Sequence, residues 1–245
     1  MSKHFTLKEG VLYESIKSQI RPFDVIFFKG YTVFSDMICL LERYGNKIPN
    51  SGEFSHVGLV VTSDILKNEK IKEGKLYLLE SIIGGFCEYG VWDINNKCVV
   101  GVQIRELDTL ILACDKPNNT IIAWGKLQNN PIDTVPLTEL QSKFGDFYDK
   151  YYKSCYDVNP VSLLGSVFPF WRRFRSKMEK FCKTNNWFFC SELVALAFKQ
   201  FNIYPETVNE KDVLPRDIIY PDADVDEMPK VIGTLVHFTT SQHKL

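Results

Sequence analysis

Apolar residues in this chain fall into short runs with two different spacings. Residues 24–30 (DVIFFKG) have β character, follow the turn-like pair Arg21-Pro22 and end at Gly30. Four more β-like segments follow, at 55–62 (SHVGLVVT), 75–82 (KLYLLESI), 98–107 (CVVGVQIREL) and 120–127 (TIIAWGKL). Gly, Asn and Lys-rich loops separate them, which predicts an antiparallel or mixed sheet rather than regular βαβ units. Three stretches carry the helical period instead. Residues 34–44 place Phe34, Ile38, Leu41 and Tyr44 on one face, and 45–52 read as a loop. Residues 136–153 open at Pro136 and carry Leu137, Leu140, Phe144, Phe147 and Tyr151 on one stripe. Residues 190–202 hold the most regular pattern, with Cys190, Leu193, Val194, Ala197, Phe198 and Phe201 on one face. A late apolar segment, 231–238 (VIGTLVHF), reads as an edge strand. The expected architecture is one α+β domain over residues 1–245.

Charge narrows the function classes. The 245 residues include 29 Lys+Arg and 30 Asp+Glu, a formal net charge of −1, where a dedicated nucleic-acid binder is usually basic. No apolar run approaches the roughly 18 residues that span a bilayer. The first residues, MSKHFTLKEG, lack the apolar core of a signal peptide, so the expected location is intracellular and cytoplasmic. The seven cysteines are odd in number, irregular in spacing and form no C-x-x-C, which points to reduced thiols rather than a zinc site or a redox pair.

Three positions could carry chemistry. Cys190 follows the aromatic tripeptide Trp187-Phe188-Phe189 and opens the regular helix. A thiol in a first helical turn faces unpaired backbone N–H groups and the positive end of the helix dipole, which favour its thiolate. The same N–H groups can donate to an oxyanion formed in acyl transfer. The plainer reading is a buried cysteine on an apolar helix face. His56 lies near the start of the apolar segment 55–62, with Gly58 clearing space two residues along the same face; a core or edge histidine bonded to a loop carbonyl fits equally. Alternation sets Glu80 in line with Leu76 and Leu78. A lone buried carboxylate is costly, so an imidazolium partner is expected unless Glu80 has reached solvent. Thiol, imidazole and acid together supply nucleophile, base and orienting group.

In this arrangement the sequence resembles the circularly permuted, NlpC-type papain-like cysteine hydrolases. That group includes YiiX-like proteins, lecithin retinol acyltransferase relatives and homologues in poxviruses and other large DNA viruses. Four stretches carry the resemblance, in order: Phe23-Asp24-Val25-Ile26-Phe27-Phe28, Ser55-His56-Val57-Gly58-Leu59-Val60, Leu79-Glu80-Ser81 and Phe189-Cys190-Ser191-Glu192-Leu193-Val194. Gly101-Val102-Gln103-Ile104-Arg105 and Pro215-Arg216-Asp217-Ile218 are weaker echoes. The resemblance implies a permuted papain-like fold with a six-stranded type of sheet packed by the nucleophile helix. It further implies Cys190 as nucleophile, His56 as base and Glu80 as its orienting partner, with no metal or organic cofactor. Asp24 is expected to be structural and Glu192 to stabilise the helix start. Phe23 departs from the family, which usually carries Gly before the aspartate. The insert at about 153–186 is longer than in compact members.

The motif leaves the substrate open among peptide, amide and lipid acyl groups. Trp171, Arg172, Arg173, Phe174 and Arg175 mix aromatics with positive charge and could touch anionic lipid head groups. A solvated helix docked through its aromatics is the plainer reading. The acidic run 222–227 reads as a solvated loop rather than a calcium site. Two rival functions stand beside the hydrolase. One is a structural or virion-associated binding protein that retains the fold. The other is a redox protein pairing Cys182 with Cys190.

Overall fold

The computed structural model describes residues 6–29, 54–82, 91–97, 100–114, 121–156, 187–220 and 228–240. Seven strands form one sheet: β1 (Thr6–Leu12), β2 (Val25–Lys29), β3 (His56–Val61), β4 (Tyr77–Ile82), β5 (Gly101–Glu106), β6 (Ile121–Leu127) and β9 (Ile232–Thr239). A small parallel pair, β7 (Cys155–Tyr156) and β8 (Trp187–Phe188), forms a second sheet beside β5. Among the described residues the α-helices are α1 (Tyr13–Ile16), α2 (Leu107–Cys114), α3 (Leu137–Tyr151), α4 (Cys190–Gln200) and α5 (Pro215–Ile219). The class is α+β, as the segment pattern predicts.

The sheet runs β1-β9-β6-β2-β3-β4-β5, and every pairing is antiparallel except β1 with β9. Alternation divides its side chains between two cores. Val25, Phe27, Val57, Leu59, Val61, Leu79, Val102 and Ile104 are buried together with Leu140 and Phe144 of α3 and Leu193, Val194 and Phe198 of α4. Ile26, Phe28, Val60, Leu78, Ile122 and Trp124 are buried on the other face with Tyr13, Ile16, Leu107, Leu110 and Ile111. Because both faces are covered, the strands read as nearly continuous apolar runs such as VIFF and LVV.

Several expectations need correction. The segment read as a late edge strand is an interior strand: β9 lies between β6 and β1. Its cover, β1, had no strand-like signal, because TLKEGVL lacks alternation and shifts register between Lys8 and Val11 around Gly10, whose φ is 69°. That strand also makes the sheet seven-stranded where the resemblance implies six. Strand β5 starts at Gly101 rather than at residue 98, and α2 follows it without a loop. In α3 the stripe holds at Leu140, Phe144 and Phe147, but Leu137 is 45% exposed, since Pro136 is the cap and the first turn reaches solvent. The predicted helix at 34–44, the loop at 45–52, the basic aromatic residues 171–175 and the acidic run 222–227 lie outside the described residues.

The start and end of the long insert are adjacent. Cys155 and Tyr156 pair in parallel with Trp187 and Phe188, directly before α4. Val102 of β5 donates to Ser154 O and accepts from Lys153 N, so the insert leaves from the sheet and returns to it beside the same strand. However long the excursion between them, its ends are fixed relative to the start of α4.

Candidate active site

The first residue of α4 is Cys190, as the pattern predicts, and its thiol is free and buried. Three hydrogen bonds fix the helix start. Ser81 Oγ of β4 donates to Phe188 O at 2.7 Å, Ser191 Oγ donates to Val213 O at 2.6 Å, and Phe189 N donates to Glu192 Oε2 at 3.3 Å. Glu192 therefore closes the helix N-terminus, where a negative charge also suits the dipole.

His56 is the first residue of β3 and pairs across the ladder with Phe28 of β2. The Phe28 ring lies 5.8 Å from the imidazole, centroid to centroid, and closes that side of it. In the β3/β4 register Leu59 faces Leu79, which sets Gly58 opposite Glu80 and His56 on the diagonal. A Cβ on Gly58 would lie 2.6 Å from Leu78 Cγ, so this glycine makes room for the leucine that packs over the strand rather than for the histidine ring.

Glu80 is completely buried, in line with Leu76 and Leu78 as alternation requires. Its Oε2 lies 2.6 Å from His56 Nε2, the imidazole partner expected of a buried acid. Its Oε1 accepts from Arg105 Nε at 2.5 Å, and Arg105 Nη2 contacts the same oxygen. Arg105 comes from β5 and is buried as well. Sequence reasoning placed Arg105 in a motif echo and gave it no role. The available signal was a guanidinium on the next predicted strand, which an acid expected to need a cation could reach if the two strands paired.

Electrostatics link the four groups. Burial by itself would push the Glu80 carboxyl up. The Arg105 charge, then the hydrogen bond and charge of His56, more than offset it and hold the carboxyl below its ordinary range. Burial also works against a charged His56. A hydrogen bond and charge interaction with Cys190, joined by those of Glu80, outweigh it and raise the imidazole to about 9. Set between Glu80 and Cys190, the ring thus keeps its proton more firmly than an ordinary imidazole does. Cys190, His56 and Glu80 are thus brought together, with Nε2 of the ring turned to Glu80.

Asp24 stands outside this cluster and ties the frame. Its Oδ2 accepts from Trp124 Nε1 at 2.8 Å and from Arg21 N at 3.0 Å, and its Oδ1 accepts from Leu127 N at 3.0 Å. Burial outweighs these bonds and raises its carboxyl to about 6. The neighbouring Phe23 has φ of 70°, in the left-handed region that favours glycine. The Phe23 ring packs on Phe201 and Phe144.

The other thiol described, Cys114, is buried at the end of α2 in the core on the opposite sheet face. Cys182, the redox partner considered for Cys190, lies outside the described residues. A groove of about 320 Å³ lined by Gln128, Asn202 and Lys230, among others, sits at the far end of α4 and takes no part in this cluster. No helix among the described residues is long and apolar enough to cross a membrane.

Chemically, the cluster offers a nucleophile at a helix N-terminus, a proton carrier beside it and an acid that fixes the carrier's orientation. Compared with protein-family models the chain matches none, and a search of curated proteins returns no match either.

Proposed function

We propose that this chain is a cysteine hydrolase or acyltransferase of the circularly permuted papain-like type, acting on an amide or ester bond. The observation that carries the reading is His56 set between Cys190, which acts on its proton affinity, and Glu80, 2.6 Å from its ring, at the point where α4 meets β3 and β4. The antiparallel run β2-β3-β4-β5, with the cysteine helix packed on it, supports the permuted papain-like assignment.

The reaction proceeds in two halves. The Cys190 thiolate, its proton held by His56, attacks the substrate carbonyl carbon and forms a C–S bond. Negative charge moves to the carbonyl oxygen, where first-turn N–H groups of α4 can receive it. The C–N or C–O bond then breaks, and His56 gives its proton to the departing amine or alcohol. This leaves a thioester on Cys190. Water or an acceptor alcohol or amine, deprotonated by His56, attacks the thioester and releases the acyl group, restoring thiol and imidazole. The substrate is a peptide, an amide or a lipid acyl group. In the lipid case, the basic aromatic residues 171–175 are proposed to meet anionic head groups.

The rival reading, a binding protein that retains the fold, expects Cys190 and His56 to stand apart, and the interaction between them favours the enzyme. The test is acylation by p-nitrophenyl octanoate, followed as nitrophenolate release and as octanoyl mass on Cys190. We expect a hydroxylamine-sensitive adduct on Cys190, none in Cys190→Ser, and a rate at least about 100-fold lower in His56→Ala. An adduct that forms equally well without His56, or never forms on Cys190, would overturn the proposal.

A further inference from the structure

Glu80 has two oxygens and each has a different task. Oε2 faces His56 Nε2 at 2.6 Å, while Oε1 is gripped by Nε and Nη2 of Arg105. Arg105 stands opposite Leu78 in the β4/β5 register, and Gln103 stands opposite Glu80, so the guanidinium reaches Glu80 along the diagonal. Arg105 is 1% exposed and Glu80 is fully buried. A buried ion pair of this kind is a poor source of stability, because desolvation consumes most of its attraction and apolar side chains of equal volume often serve the fold better. Its value lies in direction. Two N–H groups of a rigid planar fork converging on Oε1 hold that oxygen in place better than one flexible contact can. With Oε1 fixed, Oε2 has one direction in which to point, and His56 is what it meets.

We propose that Arg105 is a positioning residue of the Cys190 site, clamping Glu80 so that its free oxygen holds the His56 imidazolium beside the thiol. The proposal deepens the thiol-enzyme reading and rests on it only in taking Cys190 as the reacting group. Among the described residues, the charged and titratable groups facing Glu80 are His56 from β3 and Arg105 from β5, with Cys190 of α4 on the far side of His56. Of the influences that keep Glu80 ionised against its burial, the Arg105 charge is the largest. Without it the carboxyl takes up a proton at higher pH. Its grip on the imidazolium then ends, and the reactive pair at Cys190 is lost at a higher pH than before.

The test needs no substrate. The rate of Cys190 alkylation by iodoacetamide, resolved by peptide mass spectrometry from pH 4 to 9, is compared across variants. In Arg105→Gln the acid limb is expected to move up by about one to three pH units, the effect of removing an opposite charge at contact distance. Arg105→Lys keeps the charge but not the fork, and its limb is expected between those two profiles. In a Glu80→Gln background, Arg105→Gln should add nothing, since the guanidinium acts through Glu80. A folded Arg105→Gln protein with the parent profile overturns the proposal, as does an equal shift with or without Glu80. If Arg105→Gln does not fold, the Arg105→Lys profile and the comparison of Glu80→Gln with the double variant, where no lone buried charge remains, decide in the same way. Failure of the hydrolase reading is separate: ester acylation of Cys190 would be absent while these limbs still moved as described.

Discussion

Replacing Phe23 by Gly and by Ala reverses the usual order of those two residues. Phe23 is fully buried against Phe201 and Phe144, and its φ is 70°. Either variant loses the ring, and truncating a buried phenylalanine to Ala typically costs about 3–5 kcal/mol. The variants differ in the backbone. Ala keeps the left-handed strain, about 1–2 kcal/mol for an L residue. Gly escapes it but brings about 0.5–1 kcal/mol of extra chain entropy to the unfolded state. Phe23→Gly should therefore be the more stable of the two by about 0.5–1 kcal/mol. At an ordinary negative φ, Ala would lead by a similar amount, so the two outcomes are well separated. Urea unfolding at constant m-value measures the difference directly as a shift in midpoint. If Phe23→Ala equals or exceeds Phe23→Gly in stability, the positive-φ account of this position is wrong. The position bears on the site as well as the fold. Phe23 N donates to Val60 O at 3.0 Å and Val60 N donates to Asp24 O at 2.8 Å, which begins the ladder that pairs Phe28 with His56. A one-residue slip there would turn His56 to the other face of the sheet.

Two further outcomes follow from the same geometry. Gly58→Ala should destabilise the protein by about 1–3 kcal/mol, because its Cβ meets the Leu78 side chain on a packed sheet face; a thermal melt checks this, and the cost should shrink when Leu78 is shortened to Val. Asp24 gives a pH dependence with a defined sign: folded, its carboxyl holds a proton up to about 6, and in the unfolded chain only to about 3.9. The folded state thus binds the extra proton between those values, so this contribution is full below about pH 4 and is lost as pH rises through about 6. The loss is on the order of 2–3 kcal/mol, and the stability difference between the parent and Asp24→Asn should change by that amount between pH 4 and 7. A difference that stays flat across this interval would refute the assignment.

How much was legible from sequence depended on how local the signal was. The α4 period, the start of that helix at Cys190 and the alternation that buries Glu80 all lie within a few residues, and each was read correctly. Partners were harder. Glu80 announced that it needed a cation, but Arg105 is 25 residues away and only the β4/β5 register brings it to the carboxylate. Gly58 was read as clearing space, but its occupant, the cross-strand Leu78, cannot be inferred from one strand alone. The first strand was missed altogether. An irregular edge with Lys and Glu carries little hydrophobic alternation, and its strand conformation is set by pairing with β9, more than 200 residues later in the chain.

That last pairing gives the order of synthesis a consequence. On a ribosome, β2 through β6 emerge in time to pair among themselves, but among the described residues β1 has no strand partner until residues 232–239 appear. Until then the ladder edge of β6 and the whole of β1 are exposed together, a state open to pairing with other chains. A product truncated before β9 would remain in it. Its Cys190, His56, Glu80 and Arg105 would all be present, in a sheet with one side still unfinished.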